Sequence, residues 1–219
     1  MPRLMFEKTG NAVWISHLDL MRLFQRAFKR AGLPLKHTQG FNPRPSVSIA
    51  LPLSVGVESH CELLDFDLDT TEIISSGQIV SRLNRALVDG VNVLTCYDDG
   101  GKLRDLAYLR CKVTLVYDGG CKDFSEKIRN LLASESLVVP KKTKNGIQDQ
   151  DIIPMIQECA VVQTDEKSID IDLLVCCQNP TLNPSQVVEA IRIHLPECTP
   201  DFVKTCRLLL HDRQGKEFK

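Results

Sequence analysis

The chain has 219 residues, 43% of them hydrophobic and 25% charged, with a formal net charge of −1. That length and apolar content suffice for one sizeable core or two small ones, and near-neutrality argues against a protein that coats nucleic acid in bulk. No apolar run approaches the ~20 residues of a membrane span, and the opening MPRLMFEKTG lacks the apolar stretch of a signal peptide.

In chain order, Arg3 to Lys8 reads as a strand. Residues 16–31 then read as an amphipathic helix. Ser16 with Asp19 three positions on is a capping-box-like start, and the carboxylate sits at the positive end of the helix dipole. Leu20, Leu23, Phe24, Ala27, Phe28 and Ala31 form the apolar stripe, while Arg22, Arg26, Lys29 and Arg30 share the opposite face. Gly32 and Pro34 end the helix. The segment QGFNPRP follows. Gly40 permits a turn that presents backbone N–H groups, Gln39 and Asn42 offer directional hydrogen bonds, Arg44 can clamp a phosphate or carboxylate, and Phe41 can stack on a ring. Two alternatives stay open: a solvated face on an ordinary core helix, and Phe41 plugging the core.

Val47 to Leu51 and Glu62 to Leu68 are two further strands. Leu64, Phe66 and Leu68 share one face of the second, and Asp65, Asp67 and Asp69 the other. Residues 75–88 fit a helix with Ile79, Leu83, Ala86 and Leu87 inward, closed by Gly90. Val91 to Tyr97 completes a βαββαβ order. After a loop at Asp98 to Lys102 the order recurs: a strand at Tyr108–Tyr117, a helix at Lys122–Ala133, and strands at Leu137–Lys142 and Ile169–Cys177. Residues 151–163 between those two strands are ambiguous. A helix at Ser185–His194 and a strand at Val203–Leu210 close the chain. The fold class is therefore α+β, with two tandem ferredoxin-like domains, residues 1–103 and 104–219, each an antiparallel sheet with helices on one face. The halves share element order only.

Charge is polarised along the chain. Residues 1–60 hold eight Lys/Arg against three acids, whereas residues 61–105 hold nine acids against four Lys/Arg. A local basic patch of this kind is the usual electrostatic footprint of a phosphate-bearing partner. A second basic stretch, Lys141, Lys142 and Lys144, precedes Asn145-Gly146, a hairpin-turn signal. The nine cysteines form no CxxC and lie mostly in apolar runs, which points to core packing in a reducing cytoplasm and not to a metal site. The five histidines show no ligand spacing either. No P-loop, GxGxxG or GxSxG appears, so nucleotide hydrolysis and acyl transfer receive no support.

The stretches FEKTG, SHLDLMR…FKRAGLP, QGFNPRPSVSIALPLSVGVES and KKTKNG together resemble the radical SAM-linked (radical SAM-associated) protein family of unknown function. Members occur alone, the form expected of this chain, or as a C-terminal extension of cobalamin-binding-type radical SAM proteins. The resemblance is strongest over residues 3–65, where Thr38 fills the family's Ser-like place before QGFNP and Arg44 its basic or polar place in that segment. It implies a radical SAM protein as partner. The chain has no CxxxCxxC cluster motif, so no cofactor of its own is expected. In architecture, with a histidine opening the first helix, the chain also resembles the CRISPR repeat-RNA endonucleases, a likeness of shape that does not transfer function.

Three readings follow. The first is a non-catalytic, radical SAM-associated accessory module that binds RNA or another anionic substrate. Its binding residues would be Lys8, Arg22, Arg26 and Arg30, then Gln39, Phe41, Asn42 and Arg44 of the loop, then Lys141, Lys142 and Lys144. The second is a metal-independent endoribonuclease with His17 as general acid or base. The third is a scaffold docking an acidic protein. The first needs no catalytic partner for His17 and is the expectation carried forward.

Overall fold

The computed structural model describes residues 1–143 and 146–219. The described chain is a mixed α/β protein with four α-helices, and it divides into two compact units: residues 1–105 with Phe218–Lys219, and Leu106–Glu217.

The first unit runs β1 (Arg3–Lys8), α1 (His17–Arg30), β2 (Val47–Ile49), β3 (Glu58–Phe66), α2 (Ser76–Asn84) and β4 (Val91–Tyr97). Its strands lie in the order β4-β1-β3-β2, with every neighbour antiparallel. Opposed pairs such as Leu4 with Leu64 put alternate residues on one face. Leu4, Phe6, Leu64, Phe66, Val91 and Val93 line that face and bury themselves against Leu20, Phe24 and Phe28 of α1 and Ile79 and Leu83 of α2. Phe6 meets Phe24 edge-on with ring centroids 4.7 Å apart, and Phe28 lies 5.1 Å from Phe66. Each fully buried large apolar side chain contributes roughly 1.5–3 kcal/mol, so α1 is held chiefly by this aromatic stripe.

Both ends of α1 are set locally. Ser16 accepts from the Asp19 amide at 3.2 Å. At the other end the Leu33 amide donates to the Phe28 carbonyl, and the Gly32 amide to that of Lys29. This is a Schellman motif, and its left-handed residue is Gly32 at φ +66°. Buried Leu33 against buried Phe28 completes it.

Of the boundaries that differ from the sequence reading, three have a clear local cause. β2 stops at Ile49 because Leu51 turns into the left-handed region at φ 49°. β3 begins four residues early, at Glu58, since the polar-looking ESHCE stretch extends the pairing to Lys8–Ser59. α2 ends at Asn84, whose side-chain amide turns to grip both the amide and the carbonyl of Val93.

The second unit runs β5 (Leu106–Val116), α3 (Phe124–Leu132), β6 (Val138–Thr143), β7 (Gly146–Asp151), β8 (Ile156–Gln163), β9 (Ser168–Cys176), α4 (Ser185–His194) and β10 (Phe202–Asp212). The order is β10-β5-β9-β8, again antiparallel, and β6 and β7 form a separate hairpin. The strand beside β9 is thus β8, from the ambiguous segment. The expected strand at 137–142 pairs with β7 instead. Asp151, the last residue of β7, starts the turn into β8, accepting from the amides of Leu137 and Ile153. Those bonds, the Leu137 one foremost, hold its carboxyl below the usual range. Leu109, Val113, Ile171 and Leu173 pack the sheet with Ile128 of α3 and Ile191 of α4 all buried.

Candidate nucleic-acid interface

α1 presents its cations outward. Arg22, Arg26, Lys29 and Arg30 are all exposed. Arg22 pairs with Asp19 at 2.9 Å, and the Arg30 guanidinium donates to the Ala86 carbonyl. Among the described residues the side chains of Arg26 and Lys29 have no hydrogen bond or ion pair. Asp19 is held below the ordinary carboxyl range, first by the Ser16 hydroxyl and then by Arg22. It therefore stays anionic at neutral pH and offsets part of the charge at the N-terminal turn, leaving the positive field strongest toward Arg26 and Lys29.

Two grooves flank the helix. One, of about 500 Å³, is walled by Arg22, Arg26 and Arg30 over Ile15, Leu23 and Val88. The other, of about 450 Å³, has a floor of Phe28, Leu35 and Pro45 and a polar rim of Gln25, Lys29 and His37. Lys29 is common to the cationic ridge and the second groove. Gln25 and His37 were not among the residues read from the sequence. The spacing Gln25, Lys29, Gly32, four then three, marks them as one line on the helix surface and is the signal that was there to find.

After α1 the chain forms a narrow arm. His37 bridges Pro45, the Thr38 amide donates to the Arg44 carbonyl at 2.8 Å, and the Arg44 amide donates back to the Thr38 hydroxyl at 3.0 Å. The arm's root joins the sheet where Lys36 donates to Asp67 and Ser46 donates to Lys36. Its tip is Gln39 to Pro43, with Gly40 at φ +134°, a backbone that glycine adopts without strain. Gln39, Asn42 and Arg44 are exposed, and Phe41 is fully so at 113% of its reference area. Phe41 does not plug the core. None of these four lines either groove.

Other sequence-selected residues fall elsewhere. Lys8 is 1% exposed on the helix-facing side of β1, and its ammonium donates to the Val13 carbonyl at 3.0 Å. It shares the buried polar end of the sheet with Ser59 and Glu62, whose side chains bond at 2.7 Å, so Lys8 is interior and not part of the exposed surface. Lys141, in the second unit, reaches the Thr181 carbonyl at 3.4 Å. The side chain of Lys142, and Lys144 and Asn145 entirely, lie outside the described residues. His17 opens α1 with its Nδ1 shielded from solvent and, among the described residues, without a hydrogen-bond partner.

All nine cysteines are free thiols, and all but Cys159 and Cys206 are buried. Burial pushes Cys96 up to about 11, and Cys111 and Cys177 to about 12. Such thiols stay protonated at neutral pH and are poor ligands and nucleophiles. Among the described residues no group of three or more His, Cys, Asp or Glu side chains is placed to hold a metal ion, and no helix is long and apolar enough to cross a membrane.

Residues 2–184 match the family described as "Uncharacterized protein conserved in bacteria (DUF2344)". The chain belongs to that family. No curated protein matches it. Among solved structures, that of an unknown protein from Galdieria sulphuraria is similar over 94% of this chain and 96% of its own, at 13% identity and a TM-score of 0.26. A superposition that loose carries no argument. The family match covers the basic helix and the arm, and it brings with it no activity.

Proposed function

We propose that this DUF2344 protein is a cytoplasmic, non-catalytic accessory module that binds RNA through α1 and the 35–46 arm and serves a radical SAM protein. Each unit is read as a ferredoxin-like domain, because both follow a βαββαβ order with strands arranged fourth, first, third, second, one hairpin being inserted in the second. The observation that carries the RNA reading is the pair of unpartnered, exposed cations, Arg26 and Lys29, between two grooves and beside an arm that exposes Phe41. Exposing a whole phenylalanine to water gains nothing for the fold, and a stacking base covers such a ring. Cations left out of the fold's ion pairs are available to phosphate. The radical SAM partner rests on the sequence resemblance and on the chain's lack of a cluster motif of its own.

The test is single-stranded RNA binding across a salt series, wild type against an Arg22→Glu, Arg26→Glu, Arg44→Glu variant. Wild-type affinity that falls steeply with salt, together with at least a roughly hundredfold loss in a folded variant, supports the reading. Absence of binding by wild type at low salt overturns it and leaves a protein surface as the occupant of the basic face.

A further inference from the structure

We infer that the groove between α1 and the arm is a base-binding pocket, taking one unstacked base of a single-stranded RNA whose backbone runs along the arginine ridge. This rests on the RNA reading above and adds where the ligand's uncharged part goes.

At about 450 Å³ the groove falls in the range of small-molecule sites, roughly 300–1,000 Å³. Its composition is asymmetric. Leu35 and Pro45, backed by the fully buried Phe28, give an apolar floor, while the three polar groups, Gln25, Lys29 and His37, stand on the rim. A flat ring with one hydrogen-bonding edge matches that division. The ring face covers the floor, and the edge meets the Gln25 amide, which supplies both a donor and an acceptor. A fully apolar ligand would leave the three rim groups unpaired, and a bare phosphate would leave the floor wet.

Charge ties the groove to the ridge. Lys29 lies on the same exposed face as Arg22 and Arg26 and also lines the groove. A polyanion lying over Arg22 and Arg26 therefore brings its next unit to Lys29, with the attached base beside the floor. The opposite wall is the root of the arm, where His37 bridges Pro45, and the same arm holds Phe41 fully exposed at its tip. A second base stacked on Phe41 follows from the same path, since single-strand readers combine a cationic track with aromatic platforms.

The experiment compares fluorescein-labelled single-stranded RNA with an abasic ribose-phosphate oligomer of equal length, by anisotropy on the full chain. Two variants fill or blunt the groove at a half-buried helix position: Gln25→Trp and Gln25→Leu, the second in case the first fails to fold. The expected result is wild-type affinity about tenfold or more tighter for the RNA than for the abasic oligomer, with either variant lowering RNA affinity to the abasic level and leaving abasic affinity within about twofold. Equal, salt-sensitive affinity for both oligomers would overturn the base pocket while leaving the basic face in place. Equal RNA affinity in wild type and both folded variants would overturn it too. No binding of either oligomer at low salt removes this inference and the RNA reading together.

Discussion

Apart from the β6–β7 hairpin, the two units follow one element order and strand order, yet they handle charge in opposite ways. In the first, α1 leaves Arg26 and Lys29 exposed and, among the described residues, without a side-chain partner. In the second, the corresponding helix α3 commits its cations to the fold: Lys127 pairs with Glu197 at 2.9 Å, and Arg129 donates to the Val161 carbonyl of β8 at 2.9 Å. The segment after the helix differs as well. α1 leads into an arm tipped by an exposed aromatic, whereas α3 leads into the paired hairpin β6–β7, tied to α4 by His194 with Val138 and by Gln186 with Gln150. A cation locked onto a carbonyl or carboxylate stabilises its own domain, and a cation left free is available to a partner. The first unit thus keeps exposed cations on its first helix where the second pairs them with its own groups.

The largest expected effect tests what holds α1 in place. Phe24→Ala removes the ring that meets Phe6 at 4.7 Å, and should cost about 3–5 kcal/mol, read as a fall in the urea midpoint with an unchanged slope. If the loss were under about 1 kcal/mol, α1 would be held by something other than its aromatic stripe.

Binding comes next. Reversing Arg22, Arg26 and Arg44 should abolish RNA binding at moderate salt, whereas Lys127→Glu with Arg129→Glu should leave RNA affinity within about threefold of wild type while lowering stability. An equal loss from the α3 pair would erase the distinction between the two helices.

Alkaline pH should weigh on the second unit. Cys111 and Cys177 lie there with thiols raised by burial from 9.0 to about 12, and burial also raises the Tyr117 hydroxyl, which donates to the Cys198 carbonyl. The unfolded thiols ionise first, so between pH 9 and 12 the native state holds more protons and stability falls as pH rises. Each thiol contributes at most about 1.4 kcal/mol per pH unit in that window. Urea midpoints should be flat from pH 7 to 8 and drop above pH 9, and Cys111→Ala should make the drop shallower.

What the sequence made legible was what is local. α1 was readable because Ser16, its stripe and Gly32 act within a few residues of one another. β8 was not, because an edge strand with its outer face in water buries only Val161 clearly and so loses the period-two signal. Lys8 misled because charge is counted without regard to burial, and at the end of β1 its ammonium turns inward to Val13. The grooves were invisible for another reason. They join Gln25 to His37 and Pro45, and Arg30 to Val88, and nothing in a linear reading of charge or period pairs residues that the fold alone makes neighbours.

The smallest expected effect is the sharpest test of the comparison. If Arg26 and Lys29 take no part in the fold, Arg26→Ala with Lys29→Ala should leave stability within about 0.5 kcal/mol of wild type, as exposed substitutions away from caps and cores do. Arg129→Ala in the second unit should cost more, about 1 kcal/mol, because it strands the Val161 carbonyl it serves. Matched urea titrations of the two variants decide it. A loss of 1 kcal/mol or more in the α1 double variant would mean that those cations support the helix they stand on, and their exposure would no longer argue for a ligand. No loss of stability together with a clear loss of RNA affinity separates the two roles on one helix, because Phe24 and Phe28 hold it from beneath while Arg26 and Lys29 face outward unspent.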